Sequence, residues 1–281
     1  MREKKISRTV PDSQAISRII DGYCLMDDEF MTAVFEENKP AVRLVLRIIL
    51  GKPGLEVTEV NVQKEIENLN GRSLRLDVLA RDEDRLYNIE IQRSDAGCIP
   101  EHARFHGSVL DATFLEKGSD FEDLPETYVI FITENDVFGK GLALYTVERV
   151  MKETGQDFGD RMHIIYVNGR YRGDDEMGRL MRDFSCTNAD EMTYTELAER
   201  VRYLKENTMS KYGMSRAVEE YGDEREAKGL EKGLAAGRAE GADRMAGLVS
   251  VLLKAGRTED LQKASSDTAY REQLFKEFGI A

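Results

Sequence analysis

Three polar residues stand inside two otherwise apolar segments, and their types suit metal chemistry. Asp77 lies in SLRLDVLA, and Glu90 and Gln92 lie in LYNIEIQ, where apolar residues alternate with polar ones. A charged residue inside a strand is destabilising unless it faces water, pairs with another charge or binds a ligand. Oxygen atoms are the donors that Mg²⁺ takes in proteins, and a bound Mg²⁺ ion orients and acidifies a water molecule for attack on a phosphodiester.

The two segments are typical of a β-hairpin that turns at Glu83 and Asp84. With that centre, Asp77 faces Glu90 and Arg75 faces Gln92 across the hairpin. Strict alternation then predicts that one face is polar and holds both carboxylates, while the other is apolar and packs on a core. The apolar face is predicted to contain Leu74, Leu76, Val78, Ala80, Tyr87, Ile89 and Ile91.

The hairpin alone leaves two interpretations open. Directly opposed strand residues have Cβ atoms roughly 4.5–5.5 Å apart, so the two carboxylates repel each other. A divalent cation between Asp77 and Glu90, with the backbone carbonyl of Ile91 as a further ligand, converts this repulsion into binding. In the other interpretation the carboxylates face solvent and are balanced by nearby arginines. These are Arg75, Arg81, Arg85 and Arg93.

The surrounding segments predict a mixed α/β sheet with helices on its faces. In chain order we expect helices over 27–38 and 39–50, a strand in 55–66, the hairpin, a helix over 100–115, a strand over 127–133, a helix over 144–154, a strand over 162–168 and helices between 174 and 206. The runs TYVIFIT and MHIIYVN are continuously apolar, as buried central strands are. This alternation of helices and strands is that of a sheet covered by helices.

We divide the chain into an N-terminal arm (1–26), the α/β domain (27–206) and a charged helical tail (207–281). In the tail, Gly229, Gly233, Gly237 and Gly241 recur every four residues among charged side chains. Small residues at this spacing line one face of a helix. The segment is either a solvated linker helix, weakened by its glycines, or a close helix–helix contact that forms a homodimer.

The composition excludes several classes of protein. A formal net charge of −13 argues against non-specific coating of nucleic acid, although a local basic cleft remains compatible with it. Because no run of about 18 apolar residues occurs, we expect neither a membrane span nor membrane binding. The basic first residues lack a following apolar region, so we expect no signal peptide. Cys24, Cys98 and Cys186 are distant from one another and are typical of free thiols in a reducing cytoplasm.

The strand ending near Asp77 and the following Glu90-Ile91-Gln92 resemble the metal site of the PD-(D/E)XK nuclease superfamily. The segments GRSLRLDVLARDEDRLYNIEIQR, ETYVIFITENDVFGKGLALY and HIIYVNGRYRGDD are similar to its transposase-like branch, over roughly residues 20 to 206. This resemblance implies a restriction-endonuclease-like core and metal-dependent cleavage of DNA. The implied biological setting is DNA mobility, recombination or defence.

The resemblance also implies a role for individual residues of the hairpin. Asp77 and Glu90 take the place of the ligands of a Mg²⁺ or Mn²⁺ ion, and Gln92 occupies the position of the motif lysine. Without that ammonium group, Gln92 is expected to orient a water or a phosphate oxygen by hydrogen bonding. Leu76 stands where the name of the family has a proline.

Helices on either side of the hairpin offer further site residues by the same resemblance. Superfamily members often add an acid from the first helix, and Glu37, next to Glu36, is the nearest candidate, with Asp28 earlier in that helix. In the helix after the hairpin, Arg104 and His106 are expected to bind substrate.

Two other interpretations compete with the nuclease. The first is a non-catalytic descendant of the fold that binds DNA or protein and oligomerises through its C-terminal helix. The second is a zinc site of Cys98, His102 and His106, which recur every four residues. Pro100 interrupts this register, so we do not expect zinc there.

Overall fold

A six-stranded mixed sheet forms the centre of the unit that contains the hairpin. The computed structural model describes residues 13–66, 73–94, 97–207, 233, 237 and 240–280, which belong to two units, Met1–Ala217 and Val218–Ala281. The strands are β1 (Glu59–Ile66), β2 (Leu74–Arg81), β3 (Arg85–Gln92), β4 (Glu126–Thr133), β5 (Leu144–Val147) and β6 (Met162–Asn168). Their order is β1-β2-β3-β4-β6-β5, and β3, β4 and β6 run parallel. This confirms the predicted mixed α/β sheet.

Helices cover both faces of this sheet. They are α1 (Ser13–Asp21), α2 (Asp28–Phe35), α3 (Lys39–Leu50), α4 (Pro100–Phe114), α5 (Glu176–Ser185) and α6 (Thr195–Glu206). The first core cluster joins one face to α2, α3, α5 and α6, and it includes Phe35, Leu46 and Ile130. The second cluster joins the other face to α4 and includes Leu110 and Phe131. Strands β3 and β4 therefore lie between two apolar layers.

The β2–β3 hairpin has the predicted register. Val78 pairs with Ile89 and Arg81 with Leu86, and the Asp82 carboxylate closes the turn by accepting from the N–H of Asp84 (3.1 Å). Beyond Val78 and Ile89 the paired ladder ends, so the predicted pairings of Asp77 with Glu90 and of Arg75 with Gln92 are both absent from it. The strands separate just where the acidic residues begin.

The predicted apolar face of the hairpin is wrong in β2. Val78 packs in the first core cluster, whereas Leu76 packs in the second, although both are even-numbered. The change of face occurs at Asp77, which lies opposite Gln63 of β1, a residue with a positive φ of 50°. Alternation is expected of a regular strand, and here the rung of the β1–β2 ladder at Asp77 is not paired. Both faces of the hairpin are consequently covered, and neither is a solvated polar face.

The helix predicted over 144–154 is also wrong. Leu144–Val147 forms the edge strand β5, which pairs antiparallel with β6. The chain then turns back in a hairpin in which the N–H of Met151 donates to the Gln156 carbonyl (2.9 Å). Pairing with β6 is a tertiary interaction that the local sequence pattern does not reveal.

The second unit consists of helices in its described part. These are residues 240–254 (α7), Thr258–Ser266 (α8) and Thr268–Glu277 (α9). Its small core contains Leu248, Leu252, Ala264, Leu274 and Phe275. Residues 208–232 lie outside the described residues, and they include Gly229, the first glycine of the repeat. The dimer helix therefore stays a prediction.

No helix among the residues described here is long and apolar enough to cross a membrane.

Gly178 in the first turn of α5 tests the packing of the first unit. A Cβ atom at this position would overlap the backbone of Gly173, whereas a Cβ at Gly54 would contact nothing within 4 Å. We expect Gly178→Ala to lower the free energy of unfolding by about 1–3 kcal/mol, although alanine favours helices. Gly54→Ala should leave it nearly unchanged, and thermal unfolding of both variants measures the contrast. Equal melting temperatures would contradict the packing described for α5.

Candidate functional site

Asp77 and Glu90 lie next to each other at the point where β2 and β3 separate. Asp77 is 8% exposed and Glu90 is 3% exposed. The N–H of Ile91 donates to Asp77 Oδ2 (2.9 Å), and the N–H of Asp77 donates to Glu90 Oε1 (3.3 Å). Each carboxyl group thus accepts from a backbone N–H of the opposite strand. Hydrogen bonds from the backbone to these two side chains replace backbone–backbone bonds where the β2–β3 ladder ends.

This environment raises the pKa of both acids. Burial raises the pKa of Asp77 to about 6; the Ile91 N–H opposes this rise and the negative charge of Asp28 adds to it. The pKa of Glu90 is raised well above its usual value, first by burial and then by the charge of Asp77. Two buried acids with so little positive charge around them are unfavourable as carboxylates. A cation between them would relieve that cost.

Asp28, and not Glu37, is the first-helix acid that the structure brings to this pair. Asp28 is the first residue of α2, and its Oδ1 accepts from Gln63 Nε2 (2.9 Å) while Oδ2 lies 3.4 Å from an Arg75 nitrogen. Its charge raises the pKa of both Asp77 and Glu90. Glu37 lies beyond the end of α2, is exposed and has a φ of 53°. The N-terminal end of α2 faces the site, so residues after its last turn do not reach it.

His106 lies behind Glu90 and is completely buried. Its Nδ1 is 2.8 Å from Asn88 Nδ2 and 3.5 Å from Glu90 Oε1, and its Nε2 is 2.9 Å from His102 Nε2. His102 Nδ1 in turn is 2.7 Å from the Gly97 carbonyl. The ring therefore has no direct access to solvent. The expected contact of His106 with substrate requires a path that this arrangement does not provide.

The Gly97 carbonyl fixes the direction of each hydrogen bond in the series that joins Gly97, His102, His106 and Asn88. A carbonyl only accepts, so His102 Nδ1 carries the hydrogen and, with both imidazoles neutral, His102 Nε2 accepts from His106 Nε2. His106 Nδ1 is then an acceptor for the Asn88 amide. Burial lowers the pKa of His106 to about 3, with a smaller contribution from His102. His106 is consequently a neutral ring packed beside Glu90 over the physiological range.

Gln92 and Arg104 lie nearer the surface. Gln92 is half-buried, and its amide packs so closely on Gly97 that a Cβ there would overlap Gln92 Oε1. Arg104 is exposed on α4 and, with His102, lines a surface cavity of about 550 Å³. A larger cavity of about 700 Å³ lies at the other end of the hairpin, next to Arg81. Asp77 and Glu90 do not line that larger cavity.

The backbone of Ile91 faces the same gap between the strands. In a β-strand the N–H and the C=O of one residue point to the same side, and the Ile91 N–H points to Asp77. The Ile91 carbonyl is thereby directed towards β2, beyond the last paired rung. This placement supports its expected role as an oxygen ligand.

The donors at the site fit a hard divalent cation. Within the described ranges no group of three or more His, Cys, Asp or Glu side chains is arranged to hold a metal ion, so a site here depends on the two carboxylates with carbonyl oxygens and water. Mg²⁺ typically binds through one or two carboxylates and keeps several waters. The zinc alternative lacks support, because Cys98 Sγ donates to the Ser94 carbonyl (3.6 Å) and the two histidines bond to each other.

Sequence reasoning did not identify Asn88 and Gln63 as site residues. Asn88 has the same strand parity as Glu90, so alternation along β3 was a signal for it. Gln63 gives no such signal, because its proximity to Asp28 and its unusual backbone arise only from how β1 lies beside α2 and β2.

The raised pKa of Asp77 predicts how stability changes with pH. Because the native state holds a proton on Asp77 up to about pH 6 and an unfolded chain loses it near pH 3.9, the free energy of unfolding falls as pH rises between these values. In chelator, we expect Asp77→Asn to be more stable than the parent by about 3 kcal/mol at pH 8, with the difference vanishing near pH 4. Thermal unfolding at both pH values measures this.

The exposed Glu199→Gln is the matched control, and it should follow the parent at both pH values. If the parent were more stable than Asp77→Asn at pH 8 without metal, the negative charge of buried Asp77 would not be unfavourable for the fold, which would contradict this description.

Comparison with known proteins gives one match. Residues 33–170, about half of the chain, match the sequence model of the PD-(D/E)XK nuclease family transposase. No curated protein and no solved structure matches the chain. The matched range contains Asp77, Glu90, Gln92 and Arg104, and Asp28 lies just before it.

Proposed function

Because residues 33–170 belong to the PD-(D/E)XK nuclease family of transposases, we propose that the protein is a divalent-metal-dependent endodeoxyribonuclease that hydrolyses phosphodiester bonds in DNA. The observation that carries this proposal is the buried pair of Asp77 and Glu90, held at the strand separation by the N–H groups of Ile91 and Asp77. The family has a restriction-endonuclease-like fold, and the six-stranded sheet flanked by helices agrees with it.

Asp77, Glu90 and the carbonyl of Ile91 would hold the ion, for which we propose Mg²⁺ or Mn²⁺. When bound, such an ion supplies a Lewis acid that lowers the pKa of water and neutralises charge on the phosphate. The chain itself fixes the carboxyl oxygens through backbone N–H groups, so little reorganisation is needed. Neutral His106 lies behind Glu90 and places no competing positive charge beside it.

Gln92 is proposed to take part through hydrogen bonding alone. Its amide donates to a water or to a phosphate oxygen, but it supplies no positive charge to the reacting phosphate. Arg104, exposed on α4, is proposed to bind a neighbouring phosphate of the DNA backbone. The biological setting that we propose is DNA mobility, recombination or defence.

A plasmid-nicking assay tests the proposed activity. We expect nicking with Mg²⁺ or Mn²⁺ that falls by about 10²-fold or more in Asp77→Asn and in Glu90→Gln, because each removes a charged oxygen ligand. Glu37→Gln should cut like the parent, since Glu37 lies away from the pair.

Cutting by Asp77→Asn at the parent rate would rule out the assigned site. Metal binding without cutting would favour the alternative function, a DNA- or protein-binding descendant of the nuclease.

The contact between Gln92 and Gly97 gives a separate test of the role of Gln92. Gly97→Ala places a methyl group against Gln92 Oε1, the far end of a flexible side chain, so the amide must move while the fold adjusts at little cost. We expect the melting temperature to stay unchanged and the nicking rate to fall about as far as in Gln92→Ala. If Gly97→Ala nicks at the parent rate while Gln92→Ala does not, the position of the amide is unimportant.

A further inference from the structure

Gln63, in the middle of β1, has a backbone conformation that strands do not normally contain. Its φ is 50°, in the left-handed region that is unfavourable for residues other than glycine. Such conformations persist where the surrounding structure enforces them, and they cluster at functional sites. The side chain is half-buried and points towards α2.

The unusual backbone coincides with a gap in the β1–β2 ladder. Val62 pairs with Val78 and Lys64 pairs with Leu76, but the rung between them, Gln63 with Asp77, is not paired. The N–H of Asp77 donates instead to Glu90 Oε1 (3.3 Å). The register is the same on both sides of the gap, so the interruption affects one rung only. Its consequence is a backbone donor available to the acidic pair.

The Gln63 side chain connects the same rung to the first helix. Its Nε2 donates to Asp28 Oδ1 (2.9 Å) and to Thr32 Oγ1 (3.1 Å). Its Oε1 is buried and accepts from no donor in the described part of the protein. Buried amide oxygens are rarely left without a partner.

We propose that Gln63 is a positioning residue of the metal site, an inference that rests on the proposed function. Its left-handed backbone leaves the Asp77 N–H free to hold Glu90, and its amide holds Asp28 at the N-terminal end of α2. Its buried carbonyl oxygen would be available to accept from a water molecule of a bound cation, since Mg²⁺ keeps several waters.

Two substitutions separate the backbone role from the side-chain role. Gln63→Gly keeps the left-handed backbone without strain and removes the amide. Gln63→Val disfavours a positive φ, so the missing rung can form, and it removes the amide as well. Asn61→Val, two residues earlier in β1, is the matched control.

Titration calorimetry with Mn²⁺ on the full-length chain at pH 8 measures the metal site. We expect Gln63→Val to weaken the Mn²⁺ affinity by about 10–100-fold, Gln63→Gly to weaken it less and Asn61→Val to leave it unchanged. The melting temperature in chelator should be no lower than the parent for Gln63→Gly, because glycine adopts a positive φ without strain. Lower metal affinity with undiminished stability is a combination that a merely structural residue would not give.

Each alternative outcome is decisive. Parental Mn²⁺ affinity in both Gln63 variants would overturn the role of Gln63 and leave the proposed metal site standing. A loss of affinity that merely follows a fall in melting temperature would also overturn that role. A parent that shows no Mn²⁺ binding dependent on Asp77 would overturn the proposed function, and the role of Gln63 with it.

Discussion

Two buried carboxyl groups at a strand separation are the constraint on which the rest of the site depends. Asp77 and Glu90 have lost water and repel each other, and backbone N–H groups from opposite strands hold them in place. Truncating or shifting either strand would remove a donor as well as an acid. The arrangement is unfavourable for the fold by itself, which is typical of sites whose stabilising partner is a ligand.

The layers on either side of the sheet explain how such a pair is tolerated. On one side of the sheet, Asp28 of α2 is hydrogen-bonded to Gln63. On the other side, His106 and His102 of α4 form a series of hydrogen bonds that ends on the Gly97 carbonyl. Asp28 and the two histidines lie on helices, and Gln63 lies in strand β1. The site is therefore organised from four separate parts of the chain, α2, β1, the hairpin and α4, before any ligand binds.

The match to the PD-(D/E)XK nuclease transposase family and the geometry of Asp77 and Glu90 point to the same hairpin. The family gives the class of chemistry, and the structure adds what the family motif does not state. Gln92 packs against Gly97, and His106 lies behind Glu90 within the core. Under the proposed function, glutamine in place of the motif lysine would leave positive charge to be supplied by the cation and by arginines such as Arg104.

The sequence by itself determined the sheet class, the register of the hairpin and the neighbourhood of Asp77 and Glu90, because strand pairing through a short turn is a local property. It did not determine that β2 changes face at Asp77, that 144–147 is an edge strand, or that Asp28 and not Glu37 approaches the pair. Those features depend on contacts between β1, α2 and β6 that are distant in sequence. Only the tertiary structure decided them, because a strained backbone and the direction of a helix end are set by packing and not by alternation.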